Sequence, residues 1–128
     1  MDLVSELFNL TNELTASIKK LAENGRKLAE KERDYKITLR TEALKLREDK
    51  KLPVTLIAQI IYGVPEVAKL RFERDVAETI YNTNQEHINC TKLKMRILES
   101  QIQREWGDEK WDIKQQNLLI WKNKENLF

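Results

Sequence analysis

Glycine, proline, cysteine and histidine are all scarce in this 128-residue chain, which holds three, two, one and one of them. So few backbone breakers favour long, uninterrupted helices, and alanine, glutamate, lysine, leucine and arginine together make up nearly half of the residues. The single cysteine, Cys90, excludes an internal disulfide and suits a reducing compartment. No stretch reaches the roughly 18 apolar residues of a membrane span, and MDLVSELFNL has neither a basic leader nor a small-residue cleavage site after it. We therefore expect a soluble protein of the cytoplasm with no membrane contact. One domain is expected at this length, which leaves no room for a catalytic module beside a regulatory one.

Excess charge of one sign is missing as well. The net charge is +2, from 23 basic and 21 acidic residues, so the chain is neither a polyanionic DNA mimic nor a general polycation. Charged residues are nonetheless 34% of the total, against about 25% in ordinary domains, which suits a narrow apolar seam under much exposed helix. The charge is unevenly placed. Residues 1–18 hold three acidic and no basic side chains, whereas 19–51 hold twelve basic and seven acidic.

What the chain does have is periodicity. Leu3, Leu7, Leu10 and Leu14 are followed by Ile18, Leu21, Gly25, Leu28, Glu32, Tyr35, Leu39, Glu42 and Leu46, in steps of three and four. The steps alternate as in a coiled coil, except for a second four at Leu14 to Ile18 that reads as a stutter. Gly25 marks a kink or a close helix crossing, and Asp2 or Ser5 is placed to cap the start. The pattern resumes at Val67, Leu70, Arg74, Ala77, Tyr81, Asn84, Ile88, Thr91, Met95, Leu98, Ile102 and Glu105 without a slip. Between the two lies PVTLIAQIIYGVP, a short apolar helix and a turn, with both prolines where helices start.

The expected fold is all-α: an antiparallel, coiled-coil-like helical hairpin over residues 1–106, then an aromatic C-terminal tail over 107–128. Its first helix spans about 2–50, its tip helix about 53–62, and its second long helix about 65–106. At 1.5 Å per residue the first helix would be about 70 Å long. The tail, with Trp111, Leu118, Leu119, Ile120 and Trp121, is expected either to dock as a short helix or to meet a partner in extended form. Phe8, Ile37, Leu44, Phe72 and Ile80 fall outside the seam, which predicts a homodimer or higher assembly.

No constellation of residues amounts to an active site. His87 and Cys90 are two ligands at most, too few for a metal site, and Glu30 with Asp34 lies on an ordinary charged face. There is no glycine-rich phosphate loop and no GxSxG, so we expect no enzyme, no cofactor and no metal. TLIAQIIYGVPEVAKLRFE has the outline of a helix-turn-helix, but Gln59 stands where a small residue is usual. A tip whose Leu56, Ile57, Ile60 and Ile61 cover the hairpin's end is the better reading. Arg33, Lys36, Arg40, Arg47 and Lys51 follow one helical face toward that tip. They either form a solvated face paired with Glu73, Asp75 and Glu78, or a stripe for phosphates or an acidic protein.

ERDYKITLRTEALKLREDKKLPVTLIAQIIYG followed by EVAKLRFERDVAETIYNTNQEHINCTKLKMRILESQIQREWG resembles small helical proteins encoded by phages and prophages of Gram-positive bacteria. The resemblance covers roughly residues 30–107 and implies the cytoplasm of an infected bacterium. Small phage accessory proteins often act by adhering to host machinery, including nucleases and CRISPR effectors, and that is an expectation from the class, not from particular residues. The expected function is thus a non-enzymatic inhibitor of bacterial antiviral defence, bound to a host protein or nucleoprotein complex through the basic stripe, the tip, Trp111 and Trp121. The rival expectation is a DNA-binding accessory protein of phage replication or recombination.

Overall fold

Asp2 starts the first helix by capping it: the Val4 N–H donates to Asp2 Oδ1 at 3.3 Å and the Glu6 N–H to the Asp2 carbonyl at 3.0 Å. Helix α1 then runs Leu3–Glu48, α2 Val54–Ile60, a 3-10 turn Ile61–Gly63 and α3 Pro65–Asn126. The structure is a computed structural model that describes residues 2–126, with the side chains of 108–115 and 124–126 outside the description. No strand occurs among the described residues, and the fold is an all-α helical hairpin. Pro53 sits just before α2 with extended backbone, and Pro65 is the first residue of α3, the place where a missing N–H costs least.

The second long helix does not stop near residue 106. It passes through Gly107 and ends at Asn126, so the segment expected as a separate aromatic tail is helical. One glycine costs a helix about 1 kcal/mol relative to alanine, too little to break a run whose other residues are mostly good helix formers. Leu118, Leu119, Ile120 and Trp121 are all more than half exposed, which leaves no docked face among them.

The chain divides into two compact units, Ala16–Ile88 and Met1–Thr15 with Asn89–Phe128. In the first, α1 and α3 run antiparallel and end in a small core where Tyr35, Ile57, Ile61 and Val67 are buried and Leu39, Ala43, Leu46, Leu52, Val64 and Leu70 pack around them. Ile57 and Ile61 cover the end of the hairpin as expected, whereas Leu56 and Ile60 turn outward. In the second unit, Leu98 is buried, and Leu3, Leu7, Leu10, Leu14, Met95 and Ile102 are half-buried.

The seam of α3 follows the expected positions from Val67 to Ile102, and only Glu105 is out in solvent. On α1 the expected stutter at Leu14 to Ile18 does not occur. Ser17 is 7% exposed and Ile18 50%, so the seam steps from Leu14 by three to Ser17 and on to Leu21, Asn24 and Leu28. The reason is polar. Asn84 Nδ2 donates to the Ser17 carbonyl at 3.2 Å, and Asn24 Nδ2 donates to Asn84 Oδ1 at 2.9 Å. A seryl side chain is small enough to let Asn84 reach the α1 backbone, which an isoleucine at that place would block. The register shift is taken up later, where Lys31, Glu32, Thr38 and Leu39 are all half-buried.

Gly25 faces the Tyr81 ring: a Cβ there would lie 3.3 Å from Tyr81 Cε2. A methyl group fits if the ring gives by a few tenths of an ångström, and the helix gains propensity. Gly25→Ala is expected to raise stability by about 0.5 kcal/mol and Gly25→Leu to lower it by about 2 kcal/mol, as read from urea midpoints. The Asn24–Asn84 layer gives a second expectation. Asn84→Leu strands Asn24 and costs about 1 kcal/mol, while Asn24→Leu with Asn84→Leu restores or exceeds native stability and loosens the helix register. Urea unfolding of the two variants, with α1–α3 distances measured between paired spin labels, checks both halves.

Candidate interaction surface

The seam occupies one side of α1, and the opposite side carries the expected cations. Arg33, Arg40, Arg47 and Lys51 follow steps of seven, seven and four, with Lys36 at the edge of the same face. Ile37 and Leu44 stand among them, 58% and 56% exposed, so the face alternates cation and aliphatic side chain over five helical turns. The sequence pattern named these two aliphatic residues only as uncovered. Their alternating steps of four and three with Arg33, Arg40 and Arg47 are the signal that they belong to the stripe.

Among the described residues, Glu73, Asp75 and Glu78 of α3 make no ion pair with the stripe. Glu73 accepts from Lys31 Nζ at 3.2 Å, and Lys31 lies outside the stripe. Asp75 is held by its neighbour Arg74 at 2.8 Å. Donating to the Asp75 carboxylate raises the pKa of the Arg74 guanidinium above its ordinary value, and the same guanidinium lies 4.6 Å over the buried Tyr35 ring. Within the stripe, Arg33 pairs with Asp34 at 3.1 Å and Lys36 with Glu32 at 3.4 Å, both neighbours on α1. Exposed pairs of this kind hold a side chain weakly, at about 0.5 kcal/mol. The side chains of Arg40, Arg47 and Lys51 make no ion pair or hydrogen bond among the described residues.

Lys51 is positioned by strain. It has φ 52, the only non-glycine residue in the left-handed region among those described, at the point where the chain leaves α1. Its neighbour Leu52 closes the end of the helix by donating to the Leu46 carbonyl at 3.3 Å. This backbone turns the tip back toward the seam, and it puts Val54, Leu56, Ile60 and Tyr62 in solvent next to the end of the cationic face. Arg71 lies 4.9 Å over the Tyr62 ring and supplies one more cation at the tip.

The tryptophans are less informative. Trp121 is 58% exposed on α3, and the side chain of Trp111 lies outside the described residues. Cys90 is exposed, and no group of three metal-ligating side chains converges among the described residues. No helix among them is long and apolar enough to cross a membrane. Every buried side-chain nitrogen or oxygen among them has a hydrogen-bond partner.

No protein-family model, no curated protein and no solved structure matches the chain.

Relief of the Lys51 backbone gives a direct check on this geometry. Lys51→Gly is expected to raise stability by about 0.5 kcal/mol, because glycine occupies the left-handed region without the clash that a Cβ meets there. Lys51→Val is expected to lower it by about 1 kcal/mol, and thermal unfolding of the two variants reads the difference.

Proposed function

We propose that this is a non-enzymatic phage or prophage protein that docks on a protein or nucleoprotein complex of its bacterial host, where it inhibits an antiviral nuclease in the manner of an anti-CRISPR. The setting rests on the resemblance of the two long segments to phage-encoded helical proteins. The mode of action rests on one observation: the α1 face places Ile37 and Leu44 between Arg33, Arg40 and Arg47, with the last two unpaired among the described residues. Such a face complements a protein surface that presents carboxylates beside apolar side chains. Trp111 and Trp121 are proposed as further anchors, since buried aromatic residues often carry about 2 kcal/mol or more each at interfaces.

DNA binding by the same face is the second reading, favoured by the freedom of Arg40, Arg47 and Lys51. Against a phosphate backbone, Ile37 and Leu44 would remain in water, and no aromatic side chain stands on the stripe to stack on bases. Binding by these few cations would be weak and would fall steeply with salt.

The two readings part in one experiment. Affinity capture from a Gram-positive host lysate is expected to enrich one host protein. Its recovery should fall at least tenfold with Arg40→Glu/Arg47→Glu, and as far with Ile37→Ser/Leu44→Ser. Under the DNA reading, mobility shift finds tight binding that salt weakens, lost on charge reversal and untouched by the aliphatic pair. That second pattern, with no host protein enriched, would overturn the inhibitor.

A further inference from the structure

A different pair of surfaces lies beside the seam, one in each unit. In the Ala16–Ile88 unit a groove runs between the helices, with Phe72, Val76 and Ile80 of α3 along one wall, 68%, 41% and 50% exposed. Lys27 and Lys31 of α1 form the other wall, and a neighbouring depression adds Lys20. The only carboxylate among the lining residues is Glu73, already bonded to Lys31. The groove is therefore apolar on its α3 side and cationic on its α1 side.

The other unit holds a second groove, with a carboxylate in place of lysines on its α1 side. Glu6 and Asn9 of α1 stand across it from Lys94 and Ile97 of α3, with Ile97 57% exposed and Leu10 and Leu98 beneath. Glu6 belongs to the stretch 1–18, where three acidic and no basic residues occur. One chain thus carries an apolar groove with a lysine wall, and elsewhere an exposed aliphatic residue with a single carboxylate, Glu6, on the α1 wall across from it and Lys94 on its own helix.

We propose that these two surfaces are the halves of one self-association contact: the lysine-walled groove of one copy receives the Glu6 and Ile97 surface of a second copy. Ile97 would cover Val76 and Ile80, and Glu6 would face Lys20 and Lys27. The occupant is a second copy because the chain itself supplies both the matching charge and the matching apolar side chain. In a two-fold pair such a contact forms twice, residue i of one copy meeting j of the other and j meeting i. The aliphatic residues carry the affinity, and the opposite charges fix which groove meets which. This contact uses neither the cationic face of α1 nor its proposed partner, so it stands or falls separately.

Cross-linking of the full chain tests it. In a Cys90→Ser background, which removes the single native thiol, Ile80→Cys and Ile97→Cys chains are prepared with different tags, mixed and oxidised. The mixed disulfide is expected to exceed both same-site disulfides. Sedimentation should show a native dimer at about 100 µM, weakened at least tenfold by Lys20→Glu/Lys27→Glu and recovered when that variant is mixed with Glu6→Lys chains. These side chains are exposed, so helix content by circular dichroism is expected to stay at the native level in every variant. A native chain that remains at 15.2 kDa under those conditions would overturn the proposal. So would same-site disulfides that equal or exceed the mixed one, or a dimer indifferent to Lys20→Glu/Lys27→Glu with native helix content.

Discussion

A hairpin of two helices has no interior, only a seam, and every other feature of this protein follows from how narrow that seam is. The buried apolar residues described are Tyr35, Ile57, Ile61, Val67, Ile88 and Leu98, and four of the six belong to the cluster at the tip. Elsewhere α1 and α3 meet along single residues spaced three and four apart. Each helix consequently shows most of its circumference to water, which is why a third of the chain is charged. Stability must come from many small contacts repeated along the seam and from the tip that closes it.

Such a seam has little in its periodicity to hold its register, because sliding one helix past the other by a heptad again sets seam position against seam position. Polar positions remove that freedom. Asn84 is bonded at once to Asn24 and to the Ser17 carbonyl, and any slip would leave these amides half-buried without partners. Arg74 works differently: half-buried at a seam position, it packs over the Tyr35 ring while Asp75 holds its charge. At the tip, the left-handed backbone of Lys51 turns the chain so that Ile57 and Ile61 meet Tyr35 and Val67. Specificity in this fold is thus bought by a few polar or strained residues set among ordinary leucines.

Because the seam takes one side of each helix, the remaining faces are available for separate work. The outer face of α1 alternates guanidinium and aliphatic groups, and the flank of α3 carries Phe72, Val76 and Ile80. These surfaces share no residue, so a protein this small can in principle hold a partner on one face and a copy of itself on another. Neither surface contains converging acids, bases or nucleophiles among the described residues, and both are suited to adhesion.

Periodicity by itself determined the helical class, the place of the tip, the starting proline of α3 and the α3 seam from Val67 to Ile102, because a 3.5-residue repeat has one structural solution and repeats many times over. The cationic face of α1 was equally legible, since helical geometry converts steps of three, four and seven into a stripe. Tertiary structure alone decided where hydrophobicity was a poor guide. It put Ser17 in the seam and Ile18 outside, because the partner at that level is an asparagine seeking a carbonyl. And it left Arg40, Arg47 and Lys51 unpaired among the described residues, because Glu73 and Asp75 had closer cations in Lys31 and Arg74. Which charges are spent inside a fold and which remain for a partner depends on distances across the helices, and those are not written in the spacing along either one.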